Sequence, residues 1–428
     1  MQPHVAISPN SEAHGLISTA MNGVDEHEKT LIATAACLSC AGAWAQVTLY
    51  GLADVGVTRV TGYAQGSATK LTSGNMEGSR WGIKAEEDMS GGYKALVTLE
   101  SRIELDSGSL SSRPISGNQL PDRFTAGLPP SVVNALTNSA IGPSLGVNLD
   151  NNSFDRQAWA GLVTPVGGIL AGRQYTPAFE AFGTFDTMNF QSALSAAQIA
   201  ATPSTVDIRH NNALQYRLVK GAWNAALMYG FGDGTASNKS RLVGLNTIYK
   251  SDTFSAGFGY NTKDNAAGQK ALTTSILGAS MNMGTWLVSG MYGRIQEPNP
   301  SSGPALSAGL TAAGVPTALV SNILDRLKQD ATLLHLGARY NLGQPGHHIT
   351  VAWSKLNDKR ATNADTASYG VAYTYPMSKR TSLNAVVTRF VNTGMGQAAP
   401  GGNGYLGGMT AVAGRDSTSY AVGIRHVF

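Results

Sequence analysis

Along most of this chain apolar and polar residues alternate with a period of two rather than 3.6. In 79–86, Trp81, Ile83 and Ala85 hold one phase while Arg80, Lys84 and Glu86 hold the other. In 93–102, Tyr93, Ala95, Val97 and Leu99 alternate with Lys94, Thr98, Glu100 and Arg102. Farther on, Tyr369, Val371, Tyr373 and Tyr375 share a phase, as do Tyr420, Val422, Ile424, His426 and Phe428. A strand places successive side chains on opposite faces, so this pattern predicts strands with one apolar and one polar face.

Sixteen such segments are predicted, at 47–58, 78–88, 91–104, 154–164, 167–176, 210–219, 222–231 and 240–251, then 252–262, 272–283, 284–295, 330–342, 347–357, 366–377, 380–391 and 417–428. The gaps between them alternate between short and long. Turn-forming residues fill the short ones: Ser90-Gly91, Pro165-Val166, Lys220-Gly221, 343–346 and Ser378-Lys379. The long ones include 105–153, 177–209, 296–329 and 392–416. An even strand number with this loop asymmetry fits a transmembrane antiparallel β-barrel, with short periplasmic turns and long external loops. Only a closed barrel lets strands cross lipid without exposing backbone groups to hydrocarbon. Trp81, Trp159, Trp223, Trp286 and Trp353 fall in or near the apolar phase, as an aromatic girdle requires.

Composition sharpens this reading. Glycine numbers 50 of 428 residues and charged residues are only 14%, against usual shares of about 7% and about 25%. Half of each strand facing lipid would explain the scarcity of charge. Beyond the N-terminal segment, no stretch approaches the ~18 apolar residues of a spanning helix. In that segment, Lys29 precedes a short apolar run, and Ala43-Trp44-Ala45 supplies a small-x-small cleavage pattern before Gln46. Residues 1–45 are therefore expected to be an extension plus signal peptide, and 46–428 the barrel. Removing 1–45 takes away Cys37 and Cys40, leaving no thiol chemistry. It also leaves 30 basic against 23 acidic side chains, so the formal balance moves from +4 to +7.

Several stretches, in order, resemble the general outer-membrane porins of β-proteobacteria. They are 47–54 (VTLYGLAD), 78–84 (GSRWGIK), 154–161 (FDRQAWAG), 171–177 (AGRQYTP), 375–381 (YPMSKRT) and 423–428 (GIRHVF). The resemblance implies a sixteen-stranded homotrimeric barrel in the outer membrane of a Gram-negative bacterium. It also implies that the third external loop, here 177–209, folds into the lumen. Phe428, on the apolar phase, resembles the signal by which barrel-assembly machinery recognises its clients. No role is assigned to the long 105–153 loop.

A pore selects ions through the charged side chains lining its constriction. The candidate constriction residues are Arg80, Lys84, Arg102, Arg156, Arg173 and Arg209, with Glu180 and Asp186 on the lumen loop. Glu86 and Glu100 also oppose the basic side. Arginines facing a carboxylate-bearing loop would set up a transverse field, and the basic excess predicts a weak-to-moderate anion preference.

Enzyme readings find no support. The stretch 234–240 lacks the glycine and spacing of a phosphate loop, no Gly-x-Ser-x-Gly elbow occurs, and His347-His348 has no second cluster at metal-ligand spacing. The positive charge is spread along the chain, so no nucleic-acid stripe forms. The expectation is a passive channel without cofactor or bound metal, embedded in outer-membrane lipid and passing small hydrophilic solutes. A substrate-specific channel and a barrel acting mainly as a surface adhesin are the alternatives.

Overall fold

The alternating segments are strands, and their ladder closes on itself. The computed structural model describes residues 46–190, 192–200, 204–232, 239–403 and 406–428. The first half of the wall is β1 (Gln46–Tyr63), β2 (Gly66–Ser73), β3 (Arg80–Asp88), β4 (Lys94–Arg102), β5 (Gln157–Thr164), β6 (Gly167–Tyr175), β7 (Arg209–Lys220), β8 (Trp223–Gly230) and β9 (Leu242–Lys250). The second half is β10 (Phe254–Asp264), β11 (Lys270–Met283), β12 (Trp286–Glu297), β13 (Gln329–Asn341), β14 (His348–Asp358), β15 (Ala364–Pro376), β16 (Thr381–Gly394) and β19 (Ser417–Val427). A small hairpin, β17 (Ala398–Asn403) with β18 (Leu406–Met409), sits apart in the last long loop. Each wall strand pairs antiparallel with the next, and β19 pairs back onto β1 from Leu52↔Val427 to Val60↔Ser419.

The wall sheet contains seventeen strand segments. Of these, β2 and β3 follow each other along one side of β1, β2 on its outer half, so the barrel has sixteen positions, as expected. The break between them was not expected. There Asp54 turns the chain inward: its carboxylate accepts the Asn75, Met76 and Glu77 N–H groups at 3.0, 2.9 and 2.8 Å. The predicted alternation of short and long gaps also holds only in part. The connections 64–65, 265–269 and 359–363 are as short as turns at the other end.

Outward positions carry the exposed apolar side chains, among them Leu162, Leu227, Leu277, Leu336, Val351 and Val422. Tyr93, Trp223, Phe254, Trp286, Tyr375 and Phe428 are exposed toward the short-turn end, an aromatic belt. Trp159 departs from the expected girdle. It is in register with Thr98 on β4 and Gly172 on β6, and Thr98 is opposite Lys84, so this tryptophan shares the inner face.

Two of the long loops, 103–156 and 298–328, carry short helices that meet. Asp122–Thr125 and Pro130–Ala135 from one, and Gly303–Ala312 and Thr317–Leu327 from another, share a core of Leu120, Phe124, Leu136, Leu306, Leu310, Val320 and Ile323. Arg326 fastens the two loops by donating to the Ala126 carbonyl at 2.6 Å. This packing gives the 103–156 loop the structural role that sequence left open. No helix among the described residues is long and apolar enough to cross a membrane, which bears only on helices. The expected signal segment and both cysteines lie outside the described residues, as does most of 234–240.

Candidate functional site

The loop 176–208 leaves β6 at the long-loop end and folds against the inner wall. It opens with the helix Pro177–Phe185, where proline occupies the first turn and the Thr176 side chain accepts from Phe179 N–H at 3.4 Å. Ala178, Ala181, Phe182 and Phe185 form its buried face, packed with Ile248, Ile276, Met291 and Leu333 of the wall. Phe179, Glu180, Gly183 and Thr184 form the opposite face and line the lumen.

Glycine makes room for this docking. A Cβ on Gly259 would stand 2.5 Å from the Ala181 Cβ, and one on Gly278 only 2.2 Å from the Phe185 ring. One on Gly337 would stand 2.0 Å from Thr187 Oγ1, and one on Gly244 2.9 Å from Pro177. The wall then holds the loop by its polar groups. Asn261 Oδ1 accepts from Ala178 N–H at 3.1 Å, Asn246 Nδ2 donates to Glu180 Oε2 at 2.9 Å, and Ser289 donates to the Phe185 carbonyl at 2.6 Å.

The two loop carboxylates do different things. Glu180 lines the lumen and pairs with Arg217. Asp186 is 1% exposed and organises the next turn instead. It accepts from Met188 N–H at 3.1 Å, from Phe190 N–H at 3.0 Å and from the Ser195 hydroxyl. His335 Nε2 approaches Asp186 at 3.6 Å, but that nitrogen accepts the Thr187 N–H at 3.1 Å. The ring nitrogen facing the loop therefore carries no proton, and the pair is not an ion pair.

Across the lumen stands the basic wall. Arg156 Nε donates to Glu100 Oε1 at 2.8 Å, and Arg80 approaches the same carboxylate at 3.6 Å while pairing with Glu77 at 2.9 Å. Tyr50 donates its hydroxyl to Glu100 at 3.1 Å, and Lys84 Nζ lies 4.7 Å from the Tyr50 ring centre. Arg80, Arg156, Glu100, Tyr175 and Glu180 all border one lumen chamber of about 720 Å³.

Tyr175 links this chamber to a second one. Its hydroxyl accepts from Arg156 at 3.1 Å and from Arg209 at 3.2 Å, its ring carries Arg209 at 4.7 Å, and it stacks on Phe179 at 4.9 Å. The second chamber, about 960 Å³ under the 103–156 loop, is bordered by Arg102, Arg173 and Arg209.

The eight candidate residues are thus divided. Arg80, Lys84, Arg156 and Glu180 belong to the inner chamber's surroundings, and Arg209 bridges the two. Arg102 is buried between Glu104 at 3.2 Å and Asp155 at 3.4 Å; burial raises the Glu104 carboxyl above its ordinary range despite Arg102. Arg173 is separated from the inner group. It is in register with Ala158 and Leu99, opposite in phase to Glu100, and it donates to the Asp155 carbonyl and to Asn211. A bulge between Gly172 and Gln174 shifts the register there. Asp186 is a loop anchor.

Sequence reading missed Tyr50, Glu77, Tyr175, Arg217 and Arg425. Glu77 bridges Arg80 and Arg425, and only the inward break after β2 could have disclosed it. Of the paired histidines, His347 bonds the Tyr373 hydroxyl at 2.9 Å beside a short turn.

Residues 33–395 match the profile of the Gram-negative porin family. The chain belongs to that family. It is an outer-membrane channel protein of a Gram-negative bacterium and not an enzyme. Similar to this porin is outer membrane porin protein 32 of Delftia acidovorans, 26% identical over 419 residues that cover 94% of this chain and 100% of the relative. An outer membrane porin protein of Bordetella pertussis is 27% identical over 268 residues, 58% of this chain and 55% of the relative. Among solved structures, the anion-selective porin from Comamonas acidovorans superposes with a TM-score of 0.66 at 22% identity, covering 90% of this porin and 100% of that one. OmpT of Vibrio cholerae superposes at 0.54 with 15% identity, covering 90% and 98%.

Proposed function

We propose that this porin passes small anions in preference to cations, through a constriction bounded by Arg80, Lys84, Arg156 and Arg209 on the wall and Glu180 on the loop. The observation that carries this reading is a local basic excess on the wall: Arg80 and Arg156 converge on Glu100, while Arg156 and Arg209 share the neutral Tyr175 hydroxyl. In a water-filled passage with low-dielectric walls such an excess raises the local anion concentration. The solved relative described as anion-selective agrees with it. Reversal potentials of single channels in a tenfold KCl gradient test the proposal. The expected sign is that of chloride preference, and a cation-preferring potential would falsify it.

The chain is further proposed to function as a homotrimer embedded in outer-membrane lipid, after removal of 1–45 and delivery through the barrel-assembly machinery. Phe428 supports the last point. Its backbone exchanges two 3.0 Å hydrogen bonds with Gly51, closing β19 onto β1, while its ring lies half-exposed across that glycine. Deleting Phe428 should lower the yield of heat-resistant trimer on gels of isolated outer membranes. Undiminished trimer would count against the assembly role.

A further inference from the structure

Four large apolar side chains face the lumen where a porin interior is otherwise polar. Leu96 is opposite Glu86 in register, and Gly161 carries the same inner row from Leu96 to Leu170. Trp159 belongs to the next inner row, and Val163 to the row that continues through Gly168 to Arg217. Together with Gln174 and Glu180 they bound a bay of about 470 Å³ toward the short-turn end of β4–β7. The lumen helix leaves this patch uncovered, because it packs on β8–β12 at the other side.

We propose that the bay is a binding subsite for small aromatic monocarboxylates crossing the pore. Its volume falls within the few hundred Å³ of pockets that enclose small organic ligands, and its lining has their makeup, an apolar floor with few polar groups. Trp159 supplies an aromatic face, and its Nε1–H is already held by Gln157 Oε1 at 3.1 Å, so the indole demands no polar partner from a ligand. Gly168 leaves the inner wall bare beside Val163; a Cβ there would meet nothing nearer than 3.8 Å.

Charge selects the head group. Arg217, with 36% of its side chain exposed, lines the bay and reaches Glu180. Gln157, Tyr175 and Glu180 border both the bay and the arginine chamber, so the two spaces are continuous, and Arg217 is the basic group that the bay itself presents. This inference rests on the anion reading above, and the test separates the two.

Single channels of the full porin are recorded in KCl with benzoate or acetate added. Benzoate is expected to interrupt the current and acetate to leave it continuous. In Trp159→Ala the benzoate concentration for half-block should rise about threefold to tenfold, the range for losing an aromatic contact. Leu96→Asn should shift it in the same direction, and conductance in KCl alone shows that each variant is an assembled pore. Trp353→Ala, on the lipid side, should leave the block unchanged. In the paired variant Glu180→Gln with Arg217→Gln, benzoate should block no better than neutral benzyl alcohol. Equal behaviour of benzoate and acetate, a block that survives both Trp159→Ala and Leu96→Asn, or stronger block by zwitterionic phenylalanine would overturn the subsite. The reversal potential of the same channels keeps the outcomes distinct. Chloride preference without benzoate block rejects the bay alone, whereas cation preference rejects the reading beneath it.

Discussion

Replacing Asp186 with alanine will raise single-channel conductance. The carboxylate holds two backbone N–H groups and a serine hydroxyl in a site sealed from water. Each donor left unpaired there costs about 1–3 kcal/mol, enough in sum to free the turn after the lumen helix from the wall. The barrel ladder does not depend on this turn, so assembly should persist while the loop loses its fixed position. Asp186→Asn keeps an acceptor without the charge and should fall between the two. Conductance in Asp186→Ala equal to that of the parent, with the same narrow distribution of unit currents, would show that the wall contacts of Phe182 and Phe185 suffice to hold the loop.

Arg156→Glu should produce the largest change in selectivity. It removes the guanidinium that holds Glu100 at 2.8 Å and sets a second carboxylate beside it. It also breaks the Arg156 bond to Tyr175, which leaves Arg209 alone on that hydroxyl. Reversing one charge about 5 Å from a permeating ion shifts its energy by about 1–2 kcal/mol in a partly aqueous lumen. An anion is raised by this amount and a cation lowered by it, so the anion-to-cation permeability ratio should fall by about 30-fold or more in dilute salt. Salt supplies the control, because screening shortens from about 10 Å at 0.1 M to about 3 Å at 1 M. The fall should therefore be steep in dilute KCl and shallow in concentrated KCl. A ratio unchanged at both concentrations would remove Arg156 from the permeation path.

The amino-acid pattern discloses a residue's orientation only where the two faces of its strand differ in polarity. Strands such as β3 and β15 announce their faces because one phase is apolar and the other polar, and the structure keeps those faces. β5 conceals its own: Ala158, Ala160 and Leu162 on one phase look no more apolar than Trp159 and Val163 on the other. The tryptophan was thus expected on the lipid side, and only the cross-strand register turns it inward. Arg173 fails for a different reason. The bulge between Gly172 and Gln174 breaks the count of two, a local event that reverses the phase of the residues around it. Glu180 and Asp186 could both be assigned to the lumen loop from sequence. Separating the pore-lining acid from the buried anchor needed the helix phase, in which 178, 181, 182 and 185 face the wall and 180, 183 and 184 face away. The helical cores of the 103–156 and 298–328 loops were not anticipated, since each contributes only part of a shared apolar cluster.

The one-sided seat of the lumen helix has a mechanical consequence. A cylinder of hydrogen-bonded strands resists stretching around its circumference but flattens easily, as a thin hoop does. The helix and the wall glycines beneath it act as a rib glued inside one half of that hoop, along β8–β12. The unribbed side, β3–β7, carries Arg80 and Arg209, so the curvature of that side sets the distance between the arginines and the loop.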